Sequence, residues 1–95
     1  MSEADADQLK VFAGRANPTL AARICEYLKI PLGRGGTELF PDGELIVRVD
    51  EDVRGRDCFV IQPTSHPINA HLMELFIWID TLKRASASRV TAVIP

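Results

Sequence analysis

The spacing of hydrophobic residues near the start of the chain predicts a strand followed by a helix. Residues 9–14, LKVFAG, form a short apolar run that ends at a glycine, which is typical of a strand. Leucine or isoleucine then recurs at every fourth residue from 20 to 28, which predicts a surface helix with one apolar stripe. Asn17 is a favourable N-cap for this helix, and Pro18 suits its first position.

The next stretch, FPDGELIVRV at 40–49, predicts a β-hairpin. Side chains alternate between apolar and polar in its second arm, so they should divide between two faces. The two faces are Leu45, Val47 and Val49, and Ile46, Arg48 and Asp50. An Asp-Gly pair between two such runs is a strong hairpin signal and places the turn at Asp42 and Gly43.

The second half of the chain predicts a strand, a helix and a strand. Apolar residues occupy every position from 58 to 61, which fits a strand covered on both faces, as in a parallel sheet. A helix should follow from a cap at Asn69 to about Ala85. Because it is apolar nearly all round, with one interrupting charge at Glu74, it should be buried on more than one side, with part of its cover from another domain or another subunit. RVTAVIP, residues 89–95, predicts the last strand.

This order of elements predicts an α/β fold, with a mostly parallel sheet, flanking helices and one protruding β-hairpin. The domain should span 9–95, and the small, acidic residues 1–8 should form a disordered tail. In open α/β sheets, ligands bind beyond the carboxyl ends of the strands. The chain stops at Pro95, at that end of its last strand, so we expect it to be the first part of a longer protein.

Composition narrows the classes of function. At 95 residues the chain is at most one small domain, and its net charge of −2 offers no basic face for nucleic acid. It has no apolar run long enough to predict a membrane span, and its acidic start differs from a secretory signal, so we expect a cytoplasmic protein. Cys25 and Cys58 should be buried free thiols.

Two groups of residues are candidates for binding chemistry. At the hairpin tip, Phe40 can stack on a planar ring, while Asp42 and Glu44 can accept hydrogen bonds from an amine or a hydroxyl. The donors that a phosphate site needs are present at Arg54, Arg56, Ser86 and Ser88. The residues alone leave an alternative open for each group, namely an ordinary turn for the first and solvated loops for the second.

Four stretches taken together resemble the amino-terminal part of the ribose-phosphate pyrophosphokinase family. They are FAGRANPTLAARI (12–24), FPDGE (40–44), VRGRDCFVIQPT (53–64) and NAHLMELFIWIDTLKRASASRVTAVIP (69–95). The resemblance implies a phosphoribosyltransferase-like fold with two similar α/β domains, of which this chain is most of the first. In that family the strand ending in AVIP leads into an aromatic-rich Arg-Gln-Asp segment used in catalysis.

The resemblance also implies an activity. The family transfers the β,γ-diphosphoryl group of ATP to the 1-hydroxyl of ribose 5-phosphate, giving phosphoribosyl pyrophosphate and AMP, and it requires Mg²⁺. The hairpin would be the adenine-binding loop, with Phe40, Asp42 and Glu44 reaching toward a neighbouring subunit of a homo-oligomer, a hexamer built of dimers. Because the catalytic residues and metal ligands are expected beyond Pro95, this chain alone should be inactive.

Arg54 and Ser86 match positions of the family's regulatory phosphate/ADP site between subunits. Many members have serine at position 52, where this chain has Asp52, and a carboxylate would repel a phosphate.

Two other hypotheses remain at this point: a non-catalytic regulatory or assembly subunit, and a small interaction domain. Intact hairpin-tip residues favour the enzyme.

Overall fold

The structure is a computed structural model, and it describes residues 8–95. The predicted tail falls outside the described residues except for Gln8, which is exposed. The helices and strands within 8–95 are β1 (Leu9–Ala13), α1 (Pro18–Leu28), β2 (Gly35–Leu39), β3 (Leu45–Val49), β4 (Asp57–Ile61), α2 (Ile68–Arg84) and β5 (Arg89–Val93).

Three of these strands form a parallel sheet in the order β1-β4-β5. Asp57 lies opposite Leu9 on one side and opposite Arg89 on the other, so the three strands begin level with one another. The remaining two, β2 and β3, form a separate antiparallel hairpin in which Leu39 faces Leu45. The predicted α/β fold, with its parallel sheet and protruding hairpin, is confirmed.

The sheet is covered on both faces, as the apolar run in β4 predicted. Successive side chains of a strand point to opposite faces. In β1, Val11 therefore packs toward α1, beside Ala21 and Cys25, whereas Phe12 packs toward α2. The ring centroids of Phe12 and Trp78 are 5.4 Å apart, at the centre of the larger core cluster.

Both cysteines are buried and free, as predicted, and they lie in the two different core clusters. Cys25 belongs to the cluster under α1, and Cys58 belongs to the cluster under α2. Burial, together with the nearby carboxylates of Asp57 and Glu51, raises the pKa of the Cys58 thiol to about 11. This thiol therefore behaves as a small hydrophobic core residue at neutral pH.

The predicted signals at the start of α1 act as expected. The Asn17 side chain accepts a hydrogen bond from the backbone N–H of Leu20 at 3.0 Å, and Pro18 occupies the first position of the helix. At the other end, Lys29 takes a left-handed conformation with φ of 60°, and its N–H bonds back to the last helical carbonyls. The two caps fix the length of α1.

The start of α2 differs from the prediction. Pro67, not Asn69, is the N-cap, and no side chain caps this helix. The N–H of His71 already donates to the carbonyl of Pro67 at 3.2 Å, which places Asn69 inside the first turn. An asparagine in a helical conformation cannot occupy the extended cap position, so its side chain does not serve as the predicted cap.

The burial of α2 differs between its two sides. Leu75, Trp78 and Glu74 are buried, so the charge that interrupts the apolar run points into the core. Met73 and Phe76, by contrast, are 56% and 54% exposed. Within this chain α2 is therefore buried along one side, and its opposite side presents large apolar side chains.

The hairpin turn is one residue longer than the predicted Asp-Gly turn. The N–H of Gly43 donates to the carbonyl of Phe40 at 2.9 Å, so Pro41 and Asp42 are the two central residues of the turn. Gly43 follows with φ of 91°, a conformation that glycine adopts without strain. This is a three-residue hairpin loop, and Pro41 favours it because its fixed φ suits the first central position.

Candidate functional site

The tip of the hairpin brings together the three residues that the sequence singled out there. Phe40 is 39% exposed, and Asp42 and Glu44 are exposed on the same loop. One carboxylate oxygen of Asp42 accepts the N–H of Glu44 at 3.0 Å, which stabilises the turn. The other oxygen of Asp42 and the carboxylate of Glu44 face solvent. An aromatic ring and acceptor oxygens are thus presented together on a short loop.

The base of the hairpin is held by its own backbone and by one partly buried ion pair. The N–H of Asp50 donates to the carbonyl of Arg34 at 2.9 Å, and the N–H of Arg34 donates to the Glu51 carboxylate at 2.6 Å. The ammonium of Lys10 on β1 lies 3.0 Å from the same carboxylate. Although burial opposes ionisation, these two partners hold the pKa of Glu51 below its usual range.

A buried carboxylate joins the middle of the hairpin to the sheet. Glu74 on α2 is fully buried. It accepts hydrogen bonds from the backbone N–H of Arg15 at 2.8 Å, from Nε of Arg15 at 3.0 Å and from Oγ1 of Thr37 at 2.7 Å. The indole Nε1 of Trp78 donates to the same Thr37 oxygen at 3.0 Å. We call these four residues the Glu74 network.

The sequence did not reveal the Glu74 network, although it carried one signal for it. Glutamate is almost never fully buried unless it is paired. A single charge inside the apolar run LMELFIWI therefore indicates either an exposed face or a partnered core carboxylate. Its partners could not be identified, because Arg15 and Thr37 lie 59 and 37 positions away.

Gln62 fixes the loop after β1 at the carboxyl edge of the sheet, and it too was missed by sequence reasoning. Its side chain is fully buried. Its Oε1 accepts the N–H of Ala16 at 3.1 Å, and its Nε2 donates to the carbonyl of His71 at 3.3 Å. A Cβ on Gly14 would lie 2.1 Å from Oε1, so only glycine allows this close approach.

A shallow pocket lies between the hairpin and α2, at the same edge of the sheet. Its volume is about 160 Å³, and its lining residues are Arg15, Leu39, Gly43, Leu45, Ala70 and Met73. Small-molecule sites usually enclose about 300–1,000 Å³. The pocket is therefore too small to hold a whole nucleotide.

Arg54 and Ser86 lie at the opposite, amino edge of the sheet, in two adjacent loops. The N–H of Gly55 donates to the carbonyl of Ser86 at 3.0 Å, which joins the loop before β4 to the loop before β5. Both Arg54 and Ser86 are exposed. The carboxylate of Asp52 accepts the N–H of Arg54 at 3.0 Å, so a negative charge is part of this loop pair.

No group of three or more His, Cys, Asp or Glu side chains that could hold a metal ion is present within residues 8–95. In the same part of the chain, neither helix is both long and apolar enough to cross a bilayer.

The parallel sheet between two helices, with a hairpin beside it, defines a phosphoribosyltransferase-like α/β fold. A purine phosphoribosyltransferase from Pyrococcus horikoshii has a similar structure, with a TM-score of 0.65 over 96% of this chain and 66% of that chain. The hypoxanthine-guanine phosphoribosyl transferase of L. donovani gives a TM-score of 0.63 over 94% of this chain and 54% of that one. At 14% and 12% identity, these two likenesses concern the fold alone.

Closer relatives define the family. Residues 9–95 match a protein-family model described as the N-terminal domain of ribose phosphate pyrophosphokinase, and the chain belongs to this family. The ribose-phosphate pyrophosphokinases of Agrobacterium fabrum and Maricaulis maris are 53% and 56% identical over 87 residues, which is 92% of this chain. The phosphoribosylpyrophosphate synthetase of Mycobacterium smegmatis is 46% identical, with a TM-score of 0.89 over 93% of this chain and 30% of that chain.

These findings confirm the resemblance that the sequence indicated. The resemblance covers part of those proteins, because the chain spans only 28% of the length of the two curated relatives.

Proposed function

We propose that this chain is the amino-terminal part of an enzyme that transfers the β,γ-diphosphoryl group of ATP to the 1-hydroxyl of ribose 5-phosphate. The products are phosphoribosyl pyrophosphate and AMP. The observation that carries this proposal is the family match over 9–95, at 53–56% identity to proteins named ribose-phosphate pyrophosphokinase. The chain covers 28% of those relatives. In this proposal it forms one wall of the active site and has no transferase activity by itself.

In this proposal the hairpin tip binds the adenine and ribose of ATP. Phe40 stacks on the adenine ring, and a partly exposed phenyl ring on a short loop suits that role. Glu44 and the solvent-facing oxygen of Asp42 accept hydrogen bonds from the exocyclic amine and a ribose hydroxyl. Asp42 has a second role in the turn itself, through its bond to the N–H of Glu44.

The rest of the nucleotide site comes from outside this chain. A pocket of about 160 Å³ beside the hairpin leaves room for further walls, which a neighbouring subunit of a homo-oligomer supplies. The exposed apolar side of α2, with Met73 and Phe76, supports the proposal that the protein is an oligomer, a hexamer built of dimers. We also propose a cytoplasmic location, with no nucleic-acid or membrane partner.

Magnesium belongs to this proposal as the ion that accompanies ATP and neutralises its phosphate charge. In this proposal its protein ligands lie in other parts of the enzyme. The part played by this chain is to orient the base, while the metal and other groups act on the phosphates.

The loop pair at the amino edge is proposed as a regulatory phosphate or ADP site, with Arg54 and Ser86 as donors. Their exposure and the hydrogen bond between their loops support this role. Asp52 adds a negative charge beside Arg54, which should weaken an anion at this site.

The proposal is tested by determining the gene sequence after codon 95 and assaying the full-length product. We expect an aromatic-rich Arg-Gln-Asp segment and formation of AMP from ATP that depends on ribose 5-phosphate. The 95-residue chain, assayed in parallel, should form none. A reading frame that lacks the segment, together with an inactive full-length protein, would instead favour a non-catalytic assembly subunit.

A further inference from the structure

The Glu74 network connects three segments that are distant in sequence. Arg15 lies in the loop after β1, Thr37 lies in β2, and Glu74 and Trp78 lie on α2. Its four hydrogen bonds measure between 2.7 and 3.0 Å. The network therefore ties the hairpin both to α2 and to the carboxyl edge of the sheet.

A fully buried carboxylate is unfavourable unless hydrogen bonds replace the water that it has lost. Glu74 meets this condition with three donors, two from Arg15 and one from Thr37. An apolar side chain of similar volume would fill the same space without any desolvation cost, so packing alone does not explain a glutamate here. What the carboxylate adds is a defined geometry, because each donor must lie at a fixed distance and angle from its oxygens.

The position of Thr37 in the hairpin shows which part of the molecule this geometry fixes. Thr37 is the central residue of β2 and pairs with Val47 on β3. It precedes Phe40 by three residues, which is about 10 Å along an extended strand. Fixing Thr37 against α2 therefore sets the angle at which the hairpin leaves the body, and with it the position of the tip.

We propose that Glu74 is a positioning residue for nucleotide binding, which acts through Thr37 on the placement of Phe40 without touching the nucleotide. This inference rests on the proposed function of the hairpin. Its consequence is selective: loosening the network should weaken ATP binding, while the turnover rate and the binding of ribose 5-phosphate stay nearly constant. A residue needed only for folding would instead lower the amount of active enzyme and leave both Michaelis constants unchanged.

The test uses Thr37→Val in the full-length protein, because valine keeps the shape of threonine and removes the hydroxyl. Thr37→Val removes two hydrogen bonds, the one donated to Glu74 and the one accepted from Trp78, and we expect their loss to raise KM for ATP by at least about threefold to tenfold. We expect a change of less than about twofold in kcat and in KM for ribose 5-phosphate. Thr37→Ser, which keeps the hydroxyl, should restore the ATP value, and Glu74→Gln should reproduce the defect if it folds.

The matched control is Glu38→Gln, one residue along the same strand. Glu38 is exposed and pairs with Arg48 on the outer side of the hairpin, so its loss should leave KM for ATP unchanged. An equal effect of Glu38→Gln and Thr37→Val would overturn the inference, because any disturbance of the strand would then suffice.

Amide hydrogen exchange over residues 36–48 separates this inference from the proposed function. Faster exchange in Thr37→Val than in the wild type, together with a raised KM for ATP, supports the positioning role. Unchanged exchange overturns it, and so does faster exchange with an unchanged KM. A wild-type protein that forms no AMP overturns the proposed function instead, and hydrogen exchange then remains the test of the network.

Discussion

The two ends of the parallel sheet are held in different ways. At the carboxyl edge, the hairpin and the loop after β1 are fixed by buried side chains, chiefly Glu74 and Gln62. At the amino edge, the loops that carry Arg54 and Ser86 are joined by a backbone hydrogen bond, and both side chains are exposed.

This difference indicates how each end tolerates change. A hairpin fixed by buried polar side chains depends on the identity of those residues, since each lost partner leaves an unsatisfied group. Loops joined through backbone groups depend less on their exposed side chains, although the Asp52 side chain accepts the N–H of Arg54. The amino edge can therefore vary in charge, as at Asp52, without loss of the fold.

The largest effect is expected for Trp78→Ala, because this substitution removes two interactions. It removes a fully buried ring that packs on Phe12, and it removes the donor to Thr37. We expect the free energy of unfolding to fall by about 3–5 kcal/mol, measured by urea denaturation of the chain. Tyr27→Ala is the matched control, because that ring is 87% exposed, and it should change stability by less than about 0.5 kcal/mol. Similar losses in both variants would contradict the account of the core.

The parts of the fold that the sequence predicted well are those fixed by neighbouring residues. Asn17 and Pro18 start α1 through contacts within one turn, and alternation in β3 follows directly from the pleat of a strand. The exact hairpin loop was missed because Pro41, not the Asp-Gly pair alone, determines which residues are central. The cap at Asn69 was wrong because the first turn of α2 begins before it.

The candidate site was predictable only where its residues are adjacent in sequence. Phe40, Asp42 and Glu44 lie within one loop, so their proximity was evident without a structure. The pairing of Glu74 with Thr37 depends on how the hairpin docks on α2, and no local period or motif encodes a contact between residues 37 positions apart.

A smaller effect, on inhibition by phosphate, is expected at the amino edge of the sheet. In the full-length enzyme, Asp52→Ser removes a carboxylate next to Arg54 while keeping a side-chain acceptor for the loop. We expect inorganic phosphate to inhibit at roughly threefold lower concentration, as for a single exposed charge, with thermal stability unchanged. Glu26→Gln removes an exposed charge on α1 and should leave inhibition as in the wild type. Weaker inhibition in Asp52→Ser would contradict a phosphate site there.

An effect of similar size is expected at the base of the hairpin. The folded-state pKa of Glu51 is lowered, so its ion pair stabilises the fold above the usual glutamate pKa, and this contribution is lost as the pH falls through and below that range. Glu51→Gln should lower the free energy of unfolding at pH 7 by about 0.5–1.5 kcal/mol. The difference from the wild type should shrink in acid, as followed by urea denaturation from pH 7 to pH 3. A constant difference would contradict this assignment.

The central claim is that the hairpin tip binds the adenine of ATP, and Phe40→Ala in the full-length enzyme tests it most directly. Base–aromatic stacking is worth about 1–3 kcal/mol, so we expect KM for ATP to rise by roughly 10- to 100-fold, with KM for ribose 5-phosphate nearly unchanged. Ile46→Ala, an exposed apolar residue of β3 away from the tip, is the control and should bind ATP normally. An unchanged KM for ATP in Phe40→Ala would contradict the claim.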